Sequence, residues 1–224
     1  MIEINLYEEA SHIDLLKTGI LASRKTASEL FTSQLDQQYF QVSLEEQIVS
    51  VNCSGISEAT SSFIDQLFFI EIYAKLCNKN TVLLLHNLSS EFLYNLNSAA
   101  AIKAKLIAEA KKEKRYAHTI KERERLIAKS PESAGRNWII GSPYLLLRLD
   151  SKIVALGLSE NEILSKTVSF IWNNKYSVTA KDIASAENTA INAVSNRLKR
   201  LYEKNLVFRK KLENSKTEYI YYSI

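Results

Sequence analysis

Short amides and fixed cations crowd one stretch of this chain: Asn188, Thr189, Asn192, Ser195, Asn196, Arg197, Lys199 and Arg200 fall within thirteen consecutive residues. An amide side chain matches the donor and acceptor pair that adenine shows in a major groove, and guanidinium or ammonium groups pair with guanine or with phosphate. Arg209, Lys210, Lys211 and Lys216 follow, and Thr179 precedes. Such a set recognises a duplex polyanion and needs no acid, base or nucleophile. The residue types that do covalent chemistry are scattered instead. His12, His86 and His118 stand in separate contexts without metal-ligand neighbours, and a lone histidine at a strand end, such as His86, reads as a satisfied structural residue. Glycine-rich phosphate loops, G-x-S-x-G and paired carboxylates are missing from the sequence. No catalytic residue, metal ligand or cofactor is therefore expected.

The elements that must present these groups can be read from periodicity. Ile191, Val194, Leu198 and Leu201 recur at steps of three, four and three, so they share one helix face and are expected to be buried, leaving the amides and cations outside. Asn205 suits the left-handed residue that stops such a helix. Leu206–Leu212 and Glu218–Ile224 read as strands of a hairpin with its cations near the tip. Upstream, Glu160–Asn173 carries Ile163, Leu164, Val168, Ile171 and Trp172 at helical spacing, with Ser159 as its cap. In this order, "DIA", "AVSNRLKRLYEKNLV" and an arginine-bearing hairpin, residues 159–224 resemble MarR-type and related winged helix-turn-helix regulators. The resemblance implies double-stranded DNA as partner, the helix through 188–200 in a major groove, the wing 209–216 against the flanking backbone, and a homodimer matched to two half-sites.

Charge divides the chain. Residues 1–97 hold 5 Lys and Arg against 12 Asp and Glu, and residues 98–224 hold 24 against 13. An acidic half fused to a basic half fits a sensing or partner-binding module joined to a polyanion-binding one. With 46% hydrophobic residues in 224, the chain can bury one large or two ordinary cores, and two domains are expected. Cys53 and Cys77 sit in apolar runs without C-x-x-C spacing and read as buried thiols of a reducing compartment. The start of the chain lacks the charge and apolar pattern of a signal peptide, and no apolar run approaches the ~18 residues of a membrane helix. A cytoplasmic protein of prokaryotic type, away from membranes, is expected.

In the acidic half, Ile2, Ile4 and Leu6 alternate as in a strand, and Ile20, Ala27, Leu30 and Phe31 recur at helical intervals. Phe40, Val42 and Leu44 alternate again, three residues before the apolar run 48–53, which predicts a hairpin. A helix with Phe63, Ile64, Leu67, Phe68 and Ile70 follows, then the strand 81–85 and a helix capped by Ser89 or Ser90. Strands alternating with helices predict an α/β sheet covered by helices. Residues 2–97 are similar to STAS-like domains, in particular a branch with an Ala22-Ser23-Arg24 segment before the first long helix and Ser61, Ser62, Phe63 and Asp65 at the next. That likeness implies a mixed sheet with helices, a protein partner or signal, and no chemistry of its own. In relatives that antagonise anti-sigma factors the matching serine is a phosphate acceptor, which points to Ser61. Thr60 and Phe63 depart from their pattern, and helix capping by Thr60, Ser61 and Ser62 is the plainer reading.

Three regions are thus expected: 1–97, 98–158 and 159–224. The middle one reads as a long charged helix over 98–129, with Ile102, Leu106, Tyr116, Ile120 and Ile127 on a broken seam, then an apolar segment 138–149. Either could pair two copies. Two functional readings stand: a DNA-binding transcription regulator, or a partner-switching component that binds a kinase or ATPase and uses the winged helix as scaffold.

Overall fold

In a computed structural model the protein is described at residues 1–13, 15, 19–41, 44, 46–77, 79–112, 121, 122, 125, 141–158, 162–174, 177–213, 215 and 218–223. Strand β1 (Ile2–Asn5) runs directly into α1 (Leu6–Ser11), capped by the Asn5 side chain. After β2 (Ile20–Leu21) comes α2 (24–39), opened by Ser23 and π-helical over Phe31–Leu35. Then follow β3 (Gln47–Asn52), β4 (Glu58–Ala59), α3 (61–76, π-helical over Asp65–Ile72), β5 (Thr81–His86) and α4 (Ser90–Lys112). Strands β6 (Leu145–Leu149) and β7 (Lys152–Leu156) precede α5 (Ile163–Asn174), α6 (Ala180–Glu187), α7 (Ile191–Glu203), β8 (Phe208–Lys211) and β9 (Tyr219–Tyr222).

The architecture is mixed α/β around a sheet rich in parallel strands, in the order β1-β3-β5-β6-β7, with only β7 antiparallel to its neighbour. Each parallel strand lies beside the one before it, and right-handed crossovers between such neighbours return on the same side of the sheet. Period-two alternation shows the result. Val49, Val51, Leu83, Leu85, Leu145 and Leu147 point into a core shared with Leu30, Phe63, Phe68 and Phe92 of α2, α3 and α4. Ile48, Val82, Leu84 and Leu146 point the other way, and the helices of the first core do not reach them. A sheet of parallel strands is stable only when both faces are covered. Val168, Ile171 and Trp172 of α5, with Val194, Leu198 and Leu201 of α7 and Phe208 of β8, close that second face.

Several expectations change here. The hairpin at Phe40–Leu44 does not form: α2 continues through Tyr39, Phe40 caps it with its ring 5.7 Å from Phe31, and β3 is held on both sides by parallel partners. Val42 lies outside the described residues. The boundary expected at residue 97 falls inside α4, because good helix formers continue through it. The connector expected over 98–158 supplies β6 and β7 to the sheet. Part of α4 is not solvated either, since Ala99, Ala100, Lys103, Ile107 and Ala110 are buried, while Ile102 and Leu106 remain exposed. Of the expected seam, Tyr116, Ile120 and Ile127 lie outside the described residues, as do His118, the Ser159 cap and Trp138. Ile20 belongs to β2 and not to a helix. Cys53 is buried, whereas Cys77 is only half-buried at the end of α3.

Side-chain amides bolt the carboxy-terminal unit to the sheet. Asn205 Nδ2 donates to the carbonyls of Leu76, Lys79 and Thr81 at 3.2, 2.9 and 2.7 Å. Asn80 mimics a strand residue, donating from Nδ2 to the Arg209 carbonyl and accepting the Arg209 N–H on Oδ1, both at 3.1 Å. Asn173 does the same on the outer edge of β7, where its amide spans the N–H and C=O of Ile153. The Trp172 indole N–H donates to the Leu206 carbonyl at 2.7 Å.

Candidate nucleic-acid interface

Helix α6 begins with a reciprocal cap. The Asp182 N–H donates to Thr179 Oγ1 and the Thr179 N–H to Asp182 Oδ2. The Thr179 backbone donor, helped by its hydroxyl, holds the Asp182 carboxyl below the usual carboxylate range. Thr179 is therefore half-buried in a cap and not free on a surface. Asn188 ends α6 at φ 49°, in the left-handed region that asparagine tolerates, and a turn of three residues, 188–190, leads into α7. Val178 exchanges both backbone hydrogen bonds with Tyr221, adding one more extended residue to the β8–β9 hairpin.

The periodicity argument for α7 holds at Val194, Leu198 and Leu201, all 0% exposed, and fails at Ile191, which is 48% exposed. Ile191 opens the helix on the side of a groove of about 300 Å³, shared by α6, α7 and β9 and lined also by Asn192, Ser195, Lys181 and Glu218. Lys181 pairs with Glu218, tying the start of α6 to the hairpin. Neither residue was singled out by the sequence, because their partnership exists only after folding.

Of the expected contact residues, Asn188, Thr189, Asn192, Ser195, Asn196, Lys199, Arg200, Lys210 and Lys211 are exposed. Lys199 lies 3.7 Å from Glu203 one turn on, a weak surface pair. Arg197 corrects the expectation. It is 8% exposed, and its guanidinium lies 2.8 Å from both carboxylate oxygens of Glu187 and reaches Thr167 at 3.4 Å, so it joins α7 to α6 and α5. A helix of this length has one buried stripe, and position 197 lies beside Val194, Leu198 and Leu201 on it. Arg209 is corrected too. Its guanidinium carbon sits 3.8 Å and 4.4 Å from the ring centroids of Tyr202 and Tyr219, a stacked and half-buried position. Arg200 faces a separate cleft with Lys204 and Tyr144. Lys216 lies outside the described residues.

In the amino-terminal half the two quoted segments meet. Strands β2 and β4 pair side by side, Thr60 Oγ1 accepts the N–H groups of Ser23 and Phe63, and Arg24 bonds to Asp65 at 2.6 Å and to Gln66 at 3.2 Å. Lys103 of α4 reaches the other Asp65 oxygen at 2.8 Å. Burial lowers the Lys103 pKa, and Asp65 opposes that shift. These charges tie α2, α3 and α4 together. Thr60 is the helix cap, Ser61 Oγ donates to the Asn95 carbonyl at 3.3 Å, and Ser62 is exposed. His86 Nε2 lies 3.8 Å from Glu3 without a hydrogen bond. Burial and Arg148 lower its pKa, with Glu3 opposing. Among the described residues no cluster of His, Cys, Asp or Glu could hold a metal ion, and no helix is long and apolar enough to cross a membrane.

Compared with known proteins, the chain matches no family model, no curated protein and no solved structure.

Proposed function

We propose that the protein is a cytoplasmic DNA-binding transcription regulator of prokaryotic type, in which a winged helix-turn-helix over α5–β9 reads duplex DNA and a STAS-like sheet domain receives a protein partner or signal. One observation carries this reading. Helix α7 buries Val194, Leu198 and Leu201 completely while Asn192, Ser195, Asn196 and Lys199 stay open, and Lys210 and Lys211 of β8 are exposed as well. A helix with apolar contacts on one side and unspent amides on the other has a face suited to base edges, and lysines on the adjoining hairpin suit phosphate. Two copies would set two such helices on successive half-sites. The test is selection from a random duplex library followed by anisotropy titration of the enriched sequence. An enriched motif whose binding is lost in Asn192→Ala and Asn196→Ala supports the reading, and recovery of no motif rejects it.

A second reading, a partner-switching component, is favoured by the start of α3. The hydroxyls of Ser61 and Ser62 lie beside the Thr60 cap, where free N–H groups and the helix dipole favour a phosphate. Phosphate on Ser61 would displace its bond to the Asn95 carbonyl. Intact-mass spectrometry of protein from its native host tests this: a single added phosphate at Ser61 supports it, and an unmodified chain in every growth phase counts against it.

A further inference from the structure

A cleft of about 590 Å³ opens where the end of α7 meets β6, β7 and the end of α4, in the size range of small-ligand sites. Lys111, Arg200 and Lys204 contribute three cations to it, against Glu162 and Glu203. Glu203 also faces outward to Lys199 at 3.7 Å. Lys204 is half-buried with its ammonium 3.3 Å from the centroid of Tyr144, and among the described residues it forms no ion pair with a carboxylate. An aromatic face engages one side of an ammonium that has three donors. Burial first, then Lys111 and Arg200, lowers the Lys204 pKa to about 8, with Glu162 and Glu203 opposing. The wall is rigid where Gly157 lies at φ 80°: a side chain there would come within 2.7 Å of the Pro143 carbonyl.

We infer that this cleft binds a small multivalent oxyanion, a phosphate- or polycarboxylate-bearing metabolite, held by Lys204 and Arg200 against the wall formed by Tyr144. An anion supplies close counter-charge to a desolvated ammonium that Glu162 and Glu203 reach only through space. It would also span the joint, since Arg200 and Lys204 lie at the end of α7 while Tyr144 precedes β6. The inference stands on this geometry and does not depend on what the open face of α7 contacts.

Isothermal titration of the full chain with sodium pyrophosphate, and separately with citrate, in low-salt chloride buffer tests it. The expected result is one saturable site with a Kd of about 1 mM or tighter for at least one probe. Lys204→Gln and Arg200→Gln should each weaken it about tenfold, the loss of one charge-assisted contact. Lys25→Gln, at an exposed cation of α2 outside both sites, should leave it unchanged. The stronger of the two probes identifies the ligand class. Absence of saturable heat with both, or an equal loss in Lys25→Gln, overturns the inference.

Discussion

Arg197 and its neighbours on α7 separate two roles of polar side chains on one helix. A guanidinium that is 8% exposed and bonded to both oxygens of Glu187 holds helices together, whereas the exposed amides of Asn192 and Asn196 leave the fold alone. Replacing Arg197 by Met should lower stability by about 1–3 kcal/mol in urea unfolding, because Glu187 and Thr167 lose their partner. Asn196→Ala should move the urea midpoint by less than about 0.5 kcal/mol equivalent. Equal destabilisation by both would mean that α7 sits differently. Lys204 gives a pH signature. Its folded pKa of about 8 lies below the unfolded value near ~10.4, so the unfolded chain binds more protons between those values and stability rises with pH across that window. Below pH 8 the charged amine is a burden that Lys204→Met removes. The stability advantage of Lys204→Met over the parent should therefore shrink as pH is raised from 7 to 10. An advantage that grows over the same range would contradict the assignment.

At the level of elements, Asn205 does two jobs in one residue: it adopts φ 55° at the end of α7, and its amide satisfies three carbonyls of the 76–81 loop. Asn205→Gly keeps the backbone preference and loses the bonds, while Asn205→Ala loses both. Both variants should be destabilised, Ala by about 1 kcal/mol more than Gly, read from thermal or urea melts. Equal loss would show that the left-handed turn contributes nothing. The helix stop at Asn205 was legible in the sequence because left-handed asparagine is a local preference. So were the apolar stripe of α7, the strand expected at 81–85 and a serine cap at 89 or 90, which is Ser89, whose Oγ accepts the Phe92 N–H at 3.1 Å. The amide contacts of Asn205 and Asn80 were not legible, since they join residues more than 120 positions apart. Alternation misled at Phe40, a buried residue that caps α2, which with the buried Leu44 has the spacing of a strand. The exposure of Ile191 was hidden for a related reason: periodicity assigns a face, and only packing decides where along the helix that face ends. Arg197 was misplaced because side-chain type outweighed its position beside Val194 and Leu198.

For the molecule as a whole, the second face of the sheet decides the organisation. Ile48, Val82, Leu84 and Leu146 share a buried cluster with residues of α5, α6, α7 and β8, so the acidic half and the basic half share a core instead of meeting through a linker. Sequence separates the halves by charge, but charge lies on surfaces and does not report which apolar faces adjoin. The full chain should unfold in one cooperative transition with matching calorimetric and van't Hoff enthalpies, and two resolved transitions would contradict the shared core. The same arrangement fixes the open face of α7 and the β8–β9 hairpin on a rigid base, which is what recognition of a duplex requires. The direct measurement is the affinity of the parent and of a Lys210→Ala, Lys211→Ala double variant for an enriched duplex across ~50–300 mM salt. Saturable binding by the parent that falls steeply with salt, with a log–log slope reduced by about two in the double variant, is the expected result. No saturable binding by the parent at the lowest salt, or identical slopes for the two proteins, would contradict the account.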